Sequence, residues 1–312
     1  MANGYQIGID LGATNIKIGL LLRNKIVFKK TLPTQSFSSR HGLIDGLCRS
    51  IESIFPAVKI KKEKVCGIGI GLPGPVDSKR GIAHYFPNIK GWRNVPLRRL
   101  IEKRTGLKVF IDNDANLMTL AEARLGAARG KRNVVGITLG TGVGGGIIVE
   151  GNLYRGSSLT AGEIGHIPVN ENGPVCGCGA SACLESYIGN RRILRSAQRI
   201  FGNKITLEKL SSLARRGNLE ARRIWKDAAV HLGVALSGMI NFFNPDTIVI
   251  GGGVANAGRV ILDEVRRVVR KRAMPVQAKT VKIVRARLGN DAGMIGAGLL
   301  AQEEFFRIRK HL

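Results

Sequence analysis

Four side chains able to ligate a metal crowd one short stretch of the sequence. In EIGHIPVNENGPVCGCGASACLE, His166 is followed by Cys176, Cys178 and Cys183, a His-x9-Cys-x-Cys-x4-Cys set inside a glycine-rich loop. One histidine and three thiolates make a closed tetrahedral zinc composition, and three thiols within eight residues stand out in a chain with only five cysteines. Four protein ligands leave no open position. The expected Zn2+ is therefore structural: it fixes the loop and, through His166, orients neighbours such as Glu163. The other two cysteines, Cys48 and Cys66, stand alone in apolar stretches and read as buried, inert thiols. This usage fits a reducing compartment with one metal cluster, not a disulfide framework.

Three glycine clusters offer places for phosphate or a flat ligand. DLGAT (Asp10 to Thr14) sets a carboxylate at a strand end, then a glycine and a hydroxyl in a tight turn. Backbone amides can face a phosphate there because Gly12 has no side chain, and Asp10, which repels phosphate, would hold Mg2+ through a water. An ordinary hairpin with an aspartate turn explains the same five residues. GTGVGGG (Gly140 to Gly146) holds more glycine than a hairpin needs, which favours an anion-binding loop, and DTIVIGGGV (Asp246 to Val254) ends a buried strand in bare backbone. Each cluster alone is weak evidence; three at strand ends in one chain are hard to assign to turn chemistry.

FIDNDANLMTLAEARLG carries the candidate general base. Asp114 stands where a strand gives way to an amphipathic helix, and phosphoryl transfer to a hydroxyl wants a carboxylate that accepts the proton as attack proceeds. Helix N-capping is the plainer reading of Asp114. Asp112 is the competitor, placed to face the sheet.

The elements that must position these residues come in two similar sets. YQIGIDLG, NIKIGLLL and KIVFKKTL read as an antiparallel three-stranded opening with turns at Ala13/Thr14 and Arg23/Asn24. A helix from about 42 to 55, the buried strand KVCGIGIGLPGP, a helix near 97–105 and the strand LKVFIDND follow. The opening returns near residue 133 as NVVGITLGTGVGGGIIVEGNLY, half the chain away, so the sequence reads as a duplicated domain and not as a short-repeat array. Helices between about 192 and 244, the strand DTIVIGGG, a helix near 257–272, the strand TVKIVRA and a last helix near 291–306 complete the second set. The expected class is α/β with two lobes: residues 1–118, with the last helix (about 291–312) packing back on them, and residues 119–290 with the cysteine loop.

Length and composition agree with a two-lobed, water-soluble chain. At 312 residues and 44% apolar content, the sequence has no apolar run of membrane-spanning length and no signal-peptide pattern at its start. The net charge of +27 would attract any polyanion by its field, but the basic residues are spread along the chain. The cluster RRVVRKR (Arg266 to Arg272) reads as the solvated face of an amphipathic helix.

Taken together, DLGAT, the GTGVGGG turn, the Glu-x-Gly-His pattern at Glu163 to His166, and CGCGASACLE resemble the ROK family of bacterial sugar kinases and sugar-responsive repressors. The resemblance runs from Tyr5 to about Leu300. It implies two related actin-like ATPase (ribonuclease H-like) domains flanking a cleft, with ATP and Mg2+ as cosubstrates of sugar phosphorylation. Asp10, Gly12, Thr14 and Lys17 would contact phosphate and the metal-bound water, Gly140, Thr141, Gly142 and Gly144 the other side of the triphosphate, and Gly252 and Gly253 adenosine. Asp114 matches the catalytic base; Asn88, Asn113, Asp114, Glu163, His166 and Glu185 match sugar-hydroxyl ligands. A solvated glutamate at a helix start is the plainer reading of Glu185. His166 would use one ring nitrogen for zinc and the other for the sugar. One departure is Ala182, where the family usually has glycine.

The resemblance also brings a competing class, because family repressors carry a helix-turn-helix domain ahead of the sugar-binding part. A first strand that begins by Tyr5 leaves no room for one, and the first phosphate motif is intact. The expectation is a cytoplasmic, homodimeric kinase with no specific nucleic-acid or membrane partner. Glucose is the first choice of sugar, with N-acetylmannosamine, N-acetylglucosamine and other hexoses open.

Overall fold

The computed structural model describes residues 4–86 and 89–310; Asn88 lies outside the described residues. Strands β1 (Tyr5–Leu11), β2 (Asn15–Leu22) and β3 (Lys25–Pro33) open the chain, followed by helices α1 (Arg40–Glu52) and α2 (Ile54–Val58). Next come β4 (Val65–Leu72), the short β5 (Val76–Asp77), β6 (Ile82–Tyr85) and β7 (Arg93–Val95), then α3 (Leu97–Thr105), β8 (Val109–Asn113) and α4 (Asp114–Arg124). The second set is β9 (Val134–Leu139), β10 (Val143–Val149), β11 (Asn152–Tyr154), α5 (Glu185–Ile188), α6 (Asn190–Phe201), α7 (Leu207–Arg215) and α8 (Leu219–Phe243). It ends with β12 (Thr247–Gly251), α9 (Arg259–Arg272), α10 (Pro275–Thr280) and β13 (Lys282–Arg285), before the last helix, α11 (Ala292–Lys310).

The chain divides into two compact units. The first comprises residues up to Ala121, the segment Arg155–Ala161 and everything from Asn290 onward; the second comprises Glu122–Tyr154 and Gly162–Gly289. In the first, a five-stranded sheet has the order β3-β2-β1-β4-β8, antiparallel among β1 to β3 and parallel from β1 through β4 to β8. In the second the order is β11-β10-β9-β12-β13 with the same change of sense at β9. The duplicated opening of the sequence is thus a duplicated sheet.

Local chemistry explains these elements. The β2–β3 turn places Arg23 (φ 50) and Asn24 (φ 64) both in the left-handed region, as a two-residue hairpin with native strand twist requires. Central β4 (VCGIGIGL) is buried along its whole length, as expected of a parallel strand covered on both faces. One of those faces lies against α11, whose small residues let backbones approach closely. A Cβ on Gly69 would run into the Ala297 carbonyl, so this strand position has to be glycine. The other face meets α1 and α3 through a core that includes Ile7, Ile9, Ile68 and Ile70, each fully buried. Each such side chain contributes about 1.5–3 kcal/mol of burial free energy. The core of the second unit is centred on Trp225 of α8, fully buried among residues of β9, β12, α6 and α9.

A third, small sheet with the order β5-β6-β7 belongs to the first unit and was not foreseen, because strands of two to four residues carry no readable alternation. Cys48 and Cys66 are free and buried, and burial pushes both thiols above their usual pKa. Along α9, Val265, Val268 and Val269 face the core while Arg270, Lys271 and Arg272 are exposed, the solvated face of an amphipathic helix. Among the described residues no helix is long and apolar enough to cross a membrane.

Candidate active site

In the first unit the phosphate-turn residues sit between β1 and β2. Gly12 N–H donates to Asn15 O at 3.0 Å and Thr34 Oγ1 donates to Gly12 O at 2.7 Å, which closes the turn and leaves Ala13 and Thr14 exposed. Asp10 is recessed behind it, its side chain 17% exposed, with Lys17 Nζ at 3.7 Å. Lys17 also donates to the Asn290 carbonyl, and the start of α11 closes on Asp10 so tightly that a Cβ on Gly293 would stand 2.9 Å from the carboxyl carbon. Burial raises the Asp10 pKa above its ordinary value; Lys17 opposes the shift and the Asp291 charge adds to it. An adjacent cation would favour the charged form of a carboxylate held this way.

At the junction of β8 and α4 the structure separates three roles that the sequence left together. Asn113 is the helix cap: its Oδ1 accepts from Ala115 N at 2.9 Å and Asn116 N at 3.3 Å, while its Nδ2 donates to Gly74 O at 3.1 Å. Among the described residues, the second amide hydrogen of Asn113 has no acceptor. Asp112, 2% exposed, accepts from Arg155 Nε at 2.7 Å, Asn116 Nδ2 at 2.8 Å and Asn113 N at 2.8 Å. It is consumed by structure. Asp114 is the first residue of α4, half-buried, with one oxygen on Ala115 N at 2.8 Å.

In the second unit the other glycine turn lies between β9 and β10. Gly140 N–H donates to Gly142 O at 2.9 Å, and Thr141 is exposed. Glu185, the first residue of α5, is half-buried and accepts from Val143 N at 2.8 Å, so it is not the freely solvated glutamate of the plainer reading. Gly252 and Gly253 are exposed at the end of β12. The side chain of Asn190 faces Gly253, its backbone N–H donates to Gly140 O at 3.0 Å, and its buried Oδ1 has no hydrogen-bond partner among the described residues. Asn190 thus stands beside Gly140 and Gly253; sequence reasoning missed it, because an asparagine opening a helix has no distinctive signal.

The metal-ligating set comes together. One ligand atom from each of His166, Cys176, Cys178 and Cys183 lies within 4.8 Å of all the others. Cys176 Sγ is 3.7 Å from His166 Nδ1, and Cys178 Sγ is 3.7 Å from Cys183 Sγ. Tetrahedral Zn–S bonds of about 2.3 Å place neighbouring sulfurs about 3.8 Å apart, so the spacing fits that ion. Burial, then the neighbouring thiols, push Cys183 up to about 12. Burial also opposes ionisation of Cys176, but hydrogen bonds from the Cys178 backbone and from Ser186, His166 and Cys178 side chains outweigh it and bring this thiol down to about 7. Three cysteines and a histidine this close are consistent with a structural zinc site. With Nδ1 turned to the sulfurs, His166 presents Nε2 to the other side, 3.9 Å from Glu163 Oε2.

The chain is similar to known proteins along most of its length. The ROK family model matches residues 6–304. A glucokinase of Thermotoga maritima is 36% identical over 311 residues, covering 95% of this chain and 97% of its own. The solved structure of a ROK family glucokinase from Streptomyces griseus, in complex with glucose and AMPPNP, superposes with a TM-score of 0.82 at 33% identity, covering 96% of this chain and 100% of that one. A putative xylose repressor of a Caldicellulosiruptor species is 32% identical over 94% of this chain and 77% of its own. The two sheet-rich units have the actin-like ATPase fold.

Proposed function

Because the chain belongs to the ROK family and is a kinase of the hexokinase type, we propose that it transfers the γ-phosphoryl group of ATP to a hexose hydroxyl, with glucose ahead of N-acylhexosamines. The observation that carries the reading is the pair of glycine turns at matching ends of two sheets of the same strand order. Gly12, Thr14 and Lys17 in the first turn, and Gly140, Thr141, Gly142 and Gly144 in the second, are read as phosphate contacts, with Gly252 and Gly253 bordering adenosine. Asp114 accepts the proton of the attacking sugar hydroxyl from its place at the start of α4. Asn113, Glu163, His166 Nε2, Glu185 and Asn88 hold the other hydroxyls.

Asp10 would hold Mg2+ through a water, and the ion supplies neutralisation of phosphate charge. His166, Cys176, Cys178 and Cys183 would hold a structural Zn2+ that ties the loop bearing Glu163. We place the protein in the cytoplasm as a homodimer. A coupled assay with ATP and Mg2+ over glucose, mannose, N-acetylmannosamine and N-acetylglucosamine tests the reading, with the highest turnover expected on glucose. Absence of turnover on every sugar, together with tight sequence-specific DNA binding at moderate salt, would assign the chain to the sugar-sensing repressors instead.

A further inference from the structure

Val143, the first residue after the second glycine turn, is gripped from two sides. Its N–H donates to Glu185 Oε2 at 2.8 Å, and its carbonyl lies against Gly165, where no Cβ has room. Gly142 is confined by the same carboxylate: a Cβ there would stand 2.6 Å from Glu185 Oε2. On the other side of the turn, Gly140 O accepts from Asn190 N at 3.0 Å. The turn that would hold phosphate therefore rests on residues 185–190. Only Leu184 separates them from Cys183, and its N–H ties the chain back to the cysteine loop by donating to Ile167 O at 2.9 Å. Helix α5 is only four residues long, so its place is set by this loop and not by its own helical stability.

We propose that Glu185 is a positioning residue for the nucleotide as well as a sugar ligand, so that sugar binding tightens nucleotide binding through Val143. The inference rests on the kinase reading for the sugar role of Glu185 and for the phosphate role of the turn; the link between the two comes from the geometry. A carboxylate has two oxygens. With Oε2 on Val143 N, Oε1 is left for a sugar hydroxyl, and a hydroxyl bound there fixes the side chain whose other oxygen holds the turn. The coupling is reciprocal: nucleotide on the turn orders Glu185 for the sugar to the same degree.

Titration of the zinc-replete protein with AMPPNP and Mg2+, with and without glucose, tests this by calorimetry. Wild type is expected to bind nucleotide alone and to bind it more tightly with glucose. Glu185→Ala should weaken sugar-free nucleotide binding about tenfold, the scale of one charge-assisted hydrogen bond, and abolish the effect of glucose. Glu185→Gln keeps an amide oxygen for Val143 N and should hold nucleotide within about twofold of wild type while sugar affinity falls. Glu185→Asp keeps the charge but is one methylene short of Val143 N, so it should follow alanine; it also serves if the alanine variant does not fold. Wild-type nucleotide affinity in Glu185→Ala and Glu185→Asp would overturn the inference. So would equal losses in the glutamine and alanine variants, the mark of a merely structural residue. A wild type that binds no nucleotide would sink the kinase reading itself, which is a distinguishable result.

Discussion

The turn between β1 and β2 and the turn between β9 and β10 occupy the same place in two sheets of the same strand order, but they treat charge differently. The first is built around an ionisable group: Asp10 is recessed at the strand end with Lys17 and Asp291 nearby, and burial raises its pKa. The second has no ionisable side chain between Gly140 and Gly146, and its charge arrives from Glu185, 42 residues further on. One turn bears a desolvated carboxylate that a cation would relieve. The other offers bare backbone whose shape is set from outside. The two sheets share one strand order, with Asp114 in the first unit and the cysteine loop in the second.

If the charged chemistry does reside in the first unit, Asp114→Asn should give the largest effect. Turnover is expected to fall about a hundredfold or more, the usual scale for a general base, with ATP affinity little changed. Stability should stay level, because the side chain that caps α4 is Asn113 and not Asp114. Steady-state kinetics alongside a thermal melt reads both. Retention of most of the turnover would remove Asp114 as the base, and Asp112 could not simply replace it, since Arg155 and Asn116 already occupy its oxygens.

The matching test in the second unit is Cys178→Ser. Loss of one ligand should lower zinc content, with metal affinity down by about tenfold or more. Sugar affinity should fall with it, because the loop carries Glu163 and His166. Metal analysis showing full zinc content in the variant would mean that the ligands are misassigned.

Asp10→Asn probes the electrostatic half of the contrast without needing turnover. The folded-state pKa of Asp10 lies above its unfolded value, so the folded protein holds this proton more tightly and ionising the group costs stability. That cost is absent below the ordinary carboxylate pKa, grows as pH rises toward the raised value, and is complete above it. With nucleotide and divalent ions left out, Asp10→Asn should therefore melt higher than wild type at neutral pH, and the gap should close as pH falls through the raised pKa. A variant that melts lower than wild type at pH 7 would show that the Lys17 pair outweighs burial.

Much of the scaffold was readable because its signals are local. Alternation marked β1 to β3, glycine and proline marked the strand ends, and the returning Leu-Gly turn marked the duplication. The cysteine loop was readable for the same reason: its ligands are close in sequence. What escaped was set at long range or by a register of one residue. Arg155 pairs with Asp112 across 43 positions, and nothing near either residue announces it. In Asp112-Asn113-Asp114 all three side chains are good caps, and only the observed entry of the chain into α4 assigns that task to Asn113.

The smallest effect is expected at Ala182, the one departure from the family pattern noted in the cysteine loop. Ala182 has φ 58, the left-handed region, and is 1% exposed. Its N–H donates to Pro174 O at 3.0 Å and its carbonyl accepts from Val169 N at 2.9 Å, so the loop fixes this conformation whatever residue stands there. A left-handed alanine costs about 1–2 kcal/mol, which Ala182→Gly would remove. Against that, glycine frees the unfolded chain by about 0.4–1 kcal/mol. Removing the buried methyl costs about 0.8 kcal/mol more. The gains and losses nearly cancel, which explains how alanine stands here without displacing Cys183. Ala182→Gly should shift the melting temperature by no more than about 4 °C in either direction, with zinc content unchanged. A larger rise would show that the loop carries more backbone strain than a single left-handed residue accounts for.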